Sequence, residues 1–309
     1  GRDTTYDHRL IDTVRSGTYP KLLYPNQNIA ESEDANNAEA IGSDGFTIGS
    51  GNAVNQSGKT YVAWNWKAGG SASSNSDGDE TTSVSVNQTA GFSIVSYTGT
   101  GSVDTFGHGL GAKPNVMIQK KRSGSAAWTV YHDKIASDPA TDYLYLSSNA
   151  AVGDYADHFN DTEPTSSVFT LGTDTSVNGS GATNIMYCFA EKKGYSKFGS
   201  YTGNGNTDGA FIYTGFRPAW IIGKRTDVTN NWYIFDNKRN TFNVTDAKLR
   251  ADESSAENVN SGKTIDIVST GVKIRSSDEE FNASGGTYVY MAFAESPFVN
   301  SNGIPNNAR

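Results

Sequence analysis

One feature limits what this chain can fold into more than any other: it repeats itself. Tyr97-Thr98-Gly99 recurs as Tyr201-Thr202-Gly203, an offset of 104 residues. The same offset carries Gly111 to Gly215, Pro114 to Pro218, Lys120 to Lys224, Trp128 to Trp232 and Phe189-Ala190-Glu191 to Phe293-Ala294-Glu295. Phe169 and Leu171 match Val272 and Ile274 with one residue less, which predicts a bulge or insertion near Gly172. Solenoid and propeller repeats run about 20–50 residues. A unit of 104 can hold a core of its own, so tandem domains are expected.

A third, partial copy lies at the N-terminus. Phe46-Thr-Ile-Gly49 matches Phe169-Thr-Leu-Gly172, and Asn55 to Thr60 matches Asn178 to Thr183, both at an offset of 123. Val62, Trp64 and Trp66 then fall on Ile185, Tyr187 and Phe189. Asp12-Thr-Val-Arg15 resembles Asp236-Asn-Lys-Arg239, which puts Gly1-Arg2 on Arg225-Thr226 in mid-unit. The opening strand and the Pro-led strand of this copy lack counterparts. Missing strands expose unpaired edges, so the chain reads as the C-terminal part of a longer protein, or a neighbour supplies them. The organisation expected is an incomplete unit over 1–70, a Gly/Ser/Asp-rich linker over 71–90, full units over 91–194 and 195–296, and a tail over 297–309.

Strand signals dominate. Phe92–Tyr97, Val116–Lys120, Trp128–Tyr131, Tyr143–Leu146 and Val168–Leu171 are short β-branched and aromatic runs broken by Gly, Asn, Asp and Ser. The most helix-like stretch, Ala30–Ala40, is short and polar. The fold expected is all-β: antiparallel β-sandwich domains, jelly-roll-like, in tandem. Asn-x-Ser-Gly before each final strand is turn chemistry. In that strand Ile185, Tyr187 and Phe189 share one face, read as core. Asn184, Met186 and Cys188 share the other, which would meet another sheet or subunit.

Composition narrows function. With 33 acidic against 25 basic residues, the chain lacks the basic face that nucleic-acid phosphates need. No apolar run nears the ~20 residues of a spanning helix, so no membrane insertion is expected. One cysteine, Cys188, rules out an intrachain disulfide framework. His8, His108, His132 and His158 show no metal-ligand spacing. Asp77-Gly-Asp79-Glu80 lacks the later ligands of an EF-hand. Asp154, Asp157, His158, Asp161 and Glu163 form the densest polar cluster, a conceivable glycosidase pair, yet the repeats share no carboxylate pair. No nucleophile elbow or zincin motif appears. No catalytic residue, metal or cofactor is therefore assigned. Tyr155, His158 and Phe159, in a loop without counterpart in the last unit, are the candidate receptor contacts, because loop aromatics can stack on sugars or anchor a protein.

Gly107-His-Gly-Leu-Gly-Ala-Lys-Pro114, Trp128-Thr-Val-Tyr-His-Asp133, Pro164–Phe169, Tyr195–Gly203, Gly1–Asp12 and Tyr61–Lys67 resemble a repeat of marine tailed-phage virion proteins. Phe293–Phe298 through Arg309 is similar to the C-terminus of that family. The resemblance covers almost the whole chain and brings no catalytic residues with it. It implies a virion location, a tail fibre attaching to a host-surface glycan or protein, contacts with other virion proteins, and a homotrimer. Two alternatives stand beside it: a head fibre or decoration protein, and a surface-polysaccharide depolymerase using Asp161 or Glu163.

Overall fold

A computed structural model describes residues 1–297. Apart from Pro297, the expected tail over 297–309 lies outside them. The fold is all-β, with antiparallel sheets and helices of a single turn.

The middle segment contributes β1 (Ser73–Asn75), β2 (Thr82–Asn87), β3 (Phe92–Thr98), β4 (Asp104–Gly107), β5 (Val116–Lys121), β6 (Thr129–His132), β7 (Asp142–Tyr145), β8 (Gly153–Asp154), β9 (Val168–Leu171) and β10 (Thr183–Phe189). Eight of these form one sheet in the order β8-β7-β6-β5-β10-β3-β2-β1, and β9 pairs with β4 in a second. The last segment repeats the plan with β11 (Ser196–Thr202), β12 (Phe211–Tyr213), β13 (Pro218–Arg225), β14 (Tyr233–Asp236), β15 (Ile265–Val268), β16 (Gly271–Ile274) and β17 (Thr287–Ala294). Its main sheet runs β11-β17-β13-β14 and its outer sheet β12-β16-β15.

Several expectations change. The 71–90 stretch is not a linker, because β1 and β2 extend the main sheet of the middle segment. Val84, at 3% exposure, lies in the core beneath that sheet, and a Ser/Thr-rich strand suffices where only one face meets apolar side chains. Ala30–Ala40 is not helical; Ser32–Glu33 and Ala38–Ile41 are short strands. The β9–β4 ladder runs without a break, so the residue gained near Gly172 lies outside it.

The two faces of the final strands are both covered as expected, each by a different core. Met186 and Cys188 belong to the core inside the middle segment, with Phe106, Tyr131, Phe159 and Phe169. Tyr290 and Ala292 do the same in the last segment. Ile185, Tyr187 and Phe189 instead meet Val289, Met291 and Phe293 in a central core that joins both main sheets. Both faces are apolar because both are covered. Val62, Trp64 and Trp66 of the first segment pack against this central core. Trp66 lies edge-on to Trp220 at 5.2 Å and to Phe293 at 5.5 Å.

Local chemistry recurs in all three segments. Gly58, Gly181 and Gly285 hold φ of 73°, 69° and 74° in the Asn-x-Ser-Gly turn, a conformation that favours glycine. The Asp174 and Asp278 side chains accept from Ser176 N and Glu280 N, capping equivalent one-turn helices.

The contacts between segments run in a closed circuit. Glu31 N donates to Arg122 O (3.0 Å), Val152 N to Thr226 O (2.9 Å) and Glu257 N to Arg2 O (2.6 Å). These lead from first to second, second to third and third to first segment. A second set follows the same circuit. Trp128 Nε1 donates to Tyr24 O (2.9 Å), Trp232 Nε1 to Tyr145 O (2.9 Å), and His8 Nε2 to Arg250 O (2.8 Å). The Tyr187 hydroxyl donates to Asp12 Oδ2 (2.6 Å), Trp64 Nε1 to Asp236 Oδ2 (3.1 Å) and His132 Nε2 to Tyr290 O (3.2 Å). The segments therefore surround the central core instead of lining up end to end.

Candidate functional site

The loop expected to carry receptor contacts divides between core and surface. Tyr155 stands at the N-cap of the one-turn helix Ala156–Phe159, which Asn160 ends in the left-handed region at φ 53°. This tight turn brings His158 and Phe159 inward, to 2% and 1% exposure, and leaves Tyr155 at 43%. Phe159 lies edge-on to Tyr131 at 5.7 Å within the core of the middle segment. His158 is enclosed by Tyr143 at 4.4 Å and Tyr155 at 5.2 Å. Burial lowers the His158 pKa, against the pull of Asp174 and Asp157, so the imidazole is neutral at pH 7. Of the three residues, Tyr155 alone offers an accessible ring.

Glu163 is ion-paired to Lys113 at the surface. Asp154 faces Asp142 across the β7–β8 ladder, and burial followed by Asp154 raises the Asp142 pKa. Asp77 and Asp79 accept hydrogen bonds from Asn75 and Thr105. Among the described residues no group of three His, Cys, Asp or Glu side chains is placed to hold a metal. Cys188 is buried, and its thiol pKa is raised by that burial.

The last segment carries an exposed aromatic surface that the sequence reading did not single out. Phe211 and Tyr213 alternate with buried Ile212 along β12, so both point outward from the outer sheet at 48% and 64% exposure. The loop before β15 adds Phe242, 83% exposed, and Val244, 50% exposed. Asn243 fixes that loop to the sheet edge by donating to Ile267 O (3.0 Å) and accepting from Ile267 N (2.9 Å). The corresponding strand of the middle segment is covered. There Thr82 donates to Gly107 O (2.9 Å), and Glu80 bridges to Phe106. Phe106 pairs with Phe169 there as Ile212 pairs with Val272, so Thr105 and Gly107 occupy the positions of Phe211 and Tyr213. The 104 offset hides this exchange of small residues for aromatics, because the strand is shifted by two residues between the copies.

The first segment holds a different irregularity. Tyr61–Ala68, the counterpart of β10 and β17, lies in no ladder. Among the described residues none of its backbone amides donates a hydrogen bond, and Lys67 O accepts only from the Asn87 side chain (3.2 Å).

The chain belongs to the family described as Domain of unknown function (DUF7483), whose model matches residues 1–297. No curated protein and no solved structure matches it.

Proposed function

We propose that the chain is a structural protein of a bacteriophage virion, the distal part of a tail fibre that recognises and attaches to a host surface. The observation that carries this reading is the pair of exposed rings Phe211 and Tyr213 on the outer sheet of the last segment, with exposed Phe242 in the loop held to that sheet's other edge. Flat rings at the solvent boundary bury much area on a sugar or protein partner and lose little side-chain entropy. Monomeric proteins seldom leave such a group uncovered without a use for it. The resemblance to tailed-phage virion proteins supports the same reading. Assembly as a homotrimer on the particle, beside other virion proteins, belongs to this reading, as does Tyr155 as an outlying contact.

The test is adsorption. Purified chain is expected to bind host cells and to compete with phage for them. Phe211→Ala combined with Tyr213→Ala is expected to abolish both effects while leaving the melting temperature within about 1 °C, since exposed side chains contribute within roughly 0.5 kcal/mol. Competition by the double variant equal to that of the parent would overturn the assignment of the surface. Failure of the parent itself to bind would overturn the attachment reading.

A further inference from the structure

The open segment Tyr61–Ala68 has a geometry that specifies its partner. Its inward residues Val62, Trp64 and Trp66 are already seated on the central core, so the strand position is fixed and only its edges are empty. β10 and β17, its counterparts, are each central strands: β10 lies between β5 and β3, and β17 between β13 and β11.

One rung of the absent ladder is nevertheless in place. Arg2 N donates to Thr60 O at 2.8 Å. Arg122 N donates to Thr183 O at 2.8 Å where β5 ends, and Thr226 N to Thr287 O at 2.9 Å where β13 ends. These are the same bond in three settings. In two of them a strand runs directly into it; in the first, Gly1 comes immediately before. The structure thus aligns Arg2 with Thr226, as the offset from Asp12 to Asp236 also does. The Gly1 amino group is partly buried, and burial, then Arg9, lowers its pKa. Such a place suits a peptide nitrogen better than an ammonium.

We propose that Tyr61–Ala68 is the acceptor for a β-strand of the same polypeptide that runs directly into Gly1, pairing antiparallel in the register that Arg2 begins. The side chains of that strand are specified by its counterparts. In β5, Val116 and Ile118 face the central core; in β13, Trp220 and Ile222 do so. Pro114 and Pro218 lead those strands, where a missing amide costs no ladder bond. The occupant is a Pro-led strand with apolar residues at alternate positions, and backbone pairing supplies its affinity.

The experiment grafts Lys113–Lys120 of this chain onto the N-terminus of Gly1 and follows amide hydrogen exchange in the full chain. The amides of Val62, Trp64 and Trp66, which point to the edge that β5 fills in β10, are expected to exchange rapidly in the ungrafted chain and roughly 100-fold more slowly in the graft. Ile118→Pro in the grafted copy is expected to restore fast exchange, because a central proline removes a ladder bond. The β10 amides, protected throughout, report that each variant is folded. Fast exchange at Val62, Trp64 and Trp66 in a folded graft overturns the proposal. So does protection of these amides in an ungrafted chain that light scattering shows to be dimeric, which would assign the edge to a second copy.

Discussion

Trp66→Ala tests whether the first segment is part of the common core or merely rests on it. The indole touches Trp220 of β13 and Phe293 of β17, at 5.2 and 5.5 Å, both edge-on. Truncating a fully buried tryptophan costs about 3–5 kcal/mol. Trp66 is half-buried, which reduces the burial component to about 2 kcal/mol, and losing two edge-on pairs adds roughly 1 kcal/mol. A loss of about 3 kcal/mol in a chain of this size lowers the melting temperature by roughly 4–5 °C. The side chain belongs to the first segment and its partners to the third. The central core also includes Ile185 and Phe189 of β10, so the transition should move as a whole. Calorimetry gives the temperature, and hydrogen exchange at β10 and β17 shows whether both segments lose protection together. Combining Trp66→Ala with Trp220→Ala should recover about 0.5–1.5 kcal/mol of coupling. A melting temperature within 1 °C of the parent, or protection lost in the first segment alone, would refute the common core.

Three further outcomes are expected. Asp12→Ala leaves the buried Arg15 guanidinium without its closest carboxylate and should cost about 3–5 kcal/mol; Asp12→Ala combined with Arg15→Met should be milder, as denaturant melts would show. Burial pushes the Asp12 and Asp236 carboxyls up, but Arg15 and Arg239 outweigh it and hold both pKa values below the ordinary range. Their stabilisation is complete above about pH 4 and is lost as pH falls through the lowered values, so stability should drop steeply in acid and less steeply in the Asp12→Ala chain. Asp252 behaves oppositely: burial raises its pKa to about 6, against hydrogen bonds from Asn231 and the Trp232 amide. Its folded form favours the proton, so its contribution is present below about pH 4 and lost as pH rises through about 6. Asp252→Asn should therefore stabilise the chain at pH 7.5 by up to about 3 kcal/mol and not at pH 4; equal melting temperatures at pH 7.5 would sink this.

Much of this architecture is legible in the sequence, for identifiable reasons. Strand alternation is local, so Phe92–Tyr97 and Val116–Lys120 are read directly. Trp128 and Trp232, at equivalent places, are both core, at 0% and 4% exposure. Where reading fails, the deciding contact is distant. Val62, Trp64 and Trp66 alternate like a strand, but a strand exists only where a neighbour accepts its bonds. The two faces of β10 cannot be ranked from the strand itself, because both are apolar and only tertiary structure says which cover belongs to which segment. Val84 and Val86 lie in a run rich in Ser, Thr and Asp, whose composition hides a strand that needs only one apolar face. His158 and Phe159 turn inward through backbone geometry at Asn160, which the residue types do not announce. The polar partners of the central core, such as Asp12 with Tyr187, are separated by most of the chain.

The circuit of contacts has a consequence for how this chain comes to be folded. Glu257 N reaches Arg2 O, and the Arg2 guanidinium pairs with the Glu257 carboxylate at 2.7 Å, so the earliest residues are held by some of the latest. A polypeptide emerging from the ribosome can build the middle segment on its own sheets. The first segment, whose tryptophans need Trp220 and Phe293, must wait with its apolar side chains uncovered until synthesis is nearly done. Contacts this remote in sequence slow folding and lengthen the exposure of sticky surface. Assembly of the native state is then gated by translation of the last segment, and chains stopped before it should be the ones that aggregate.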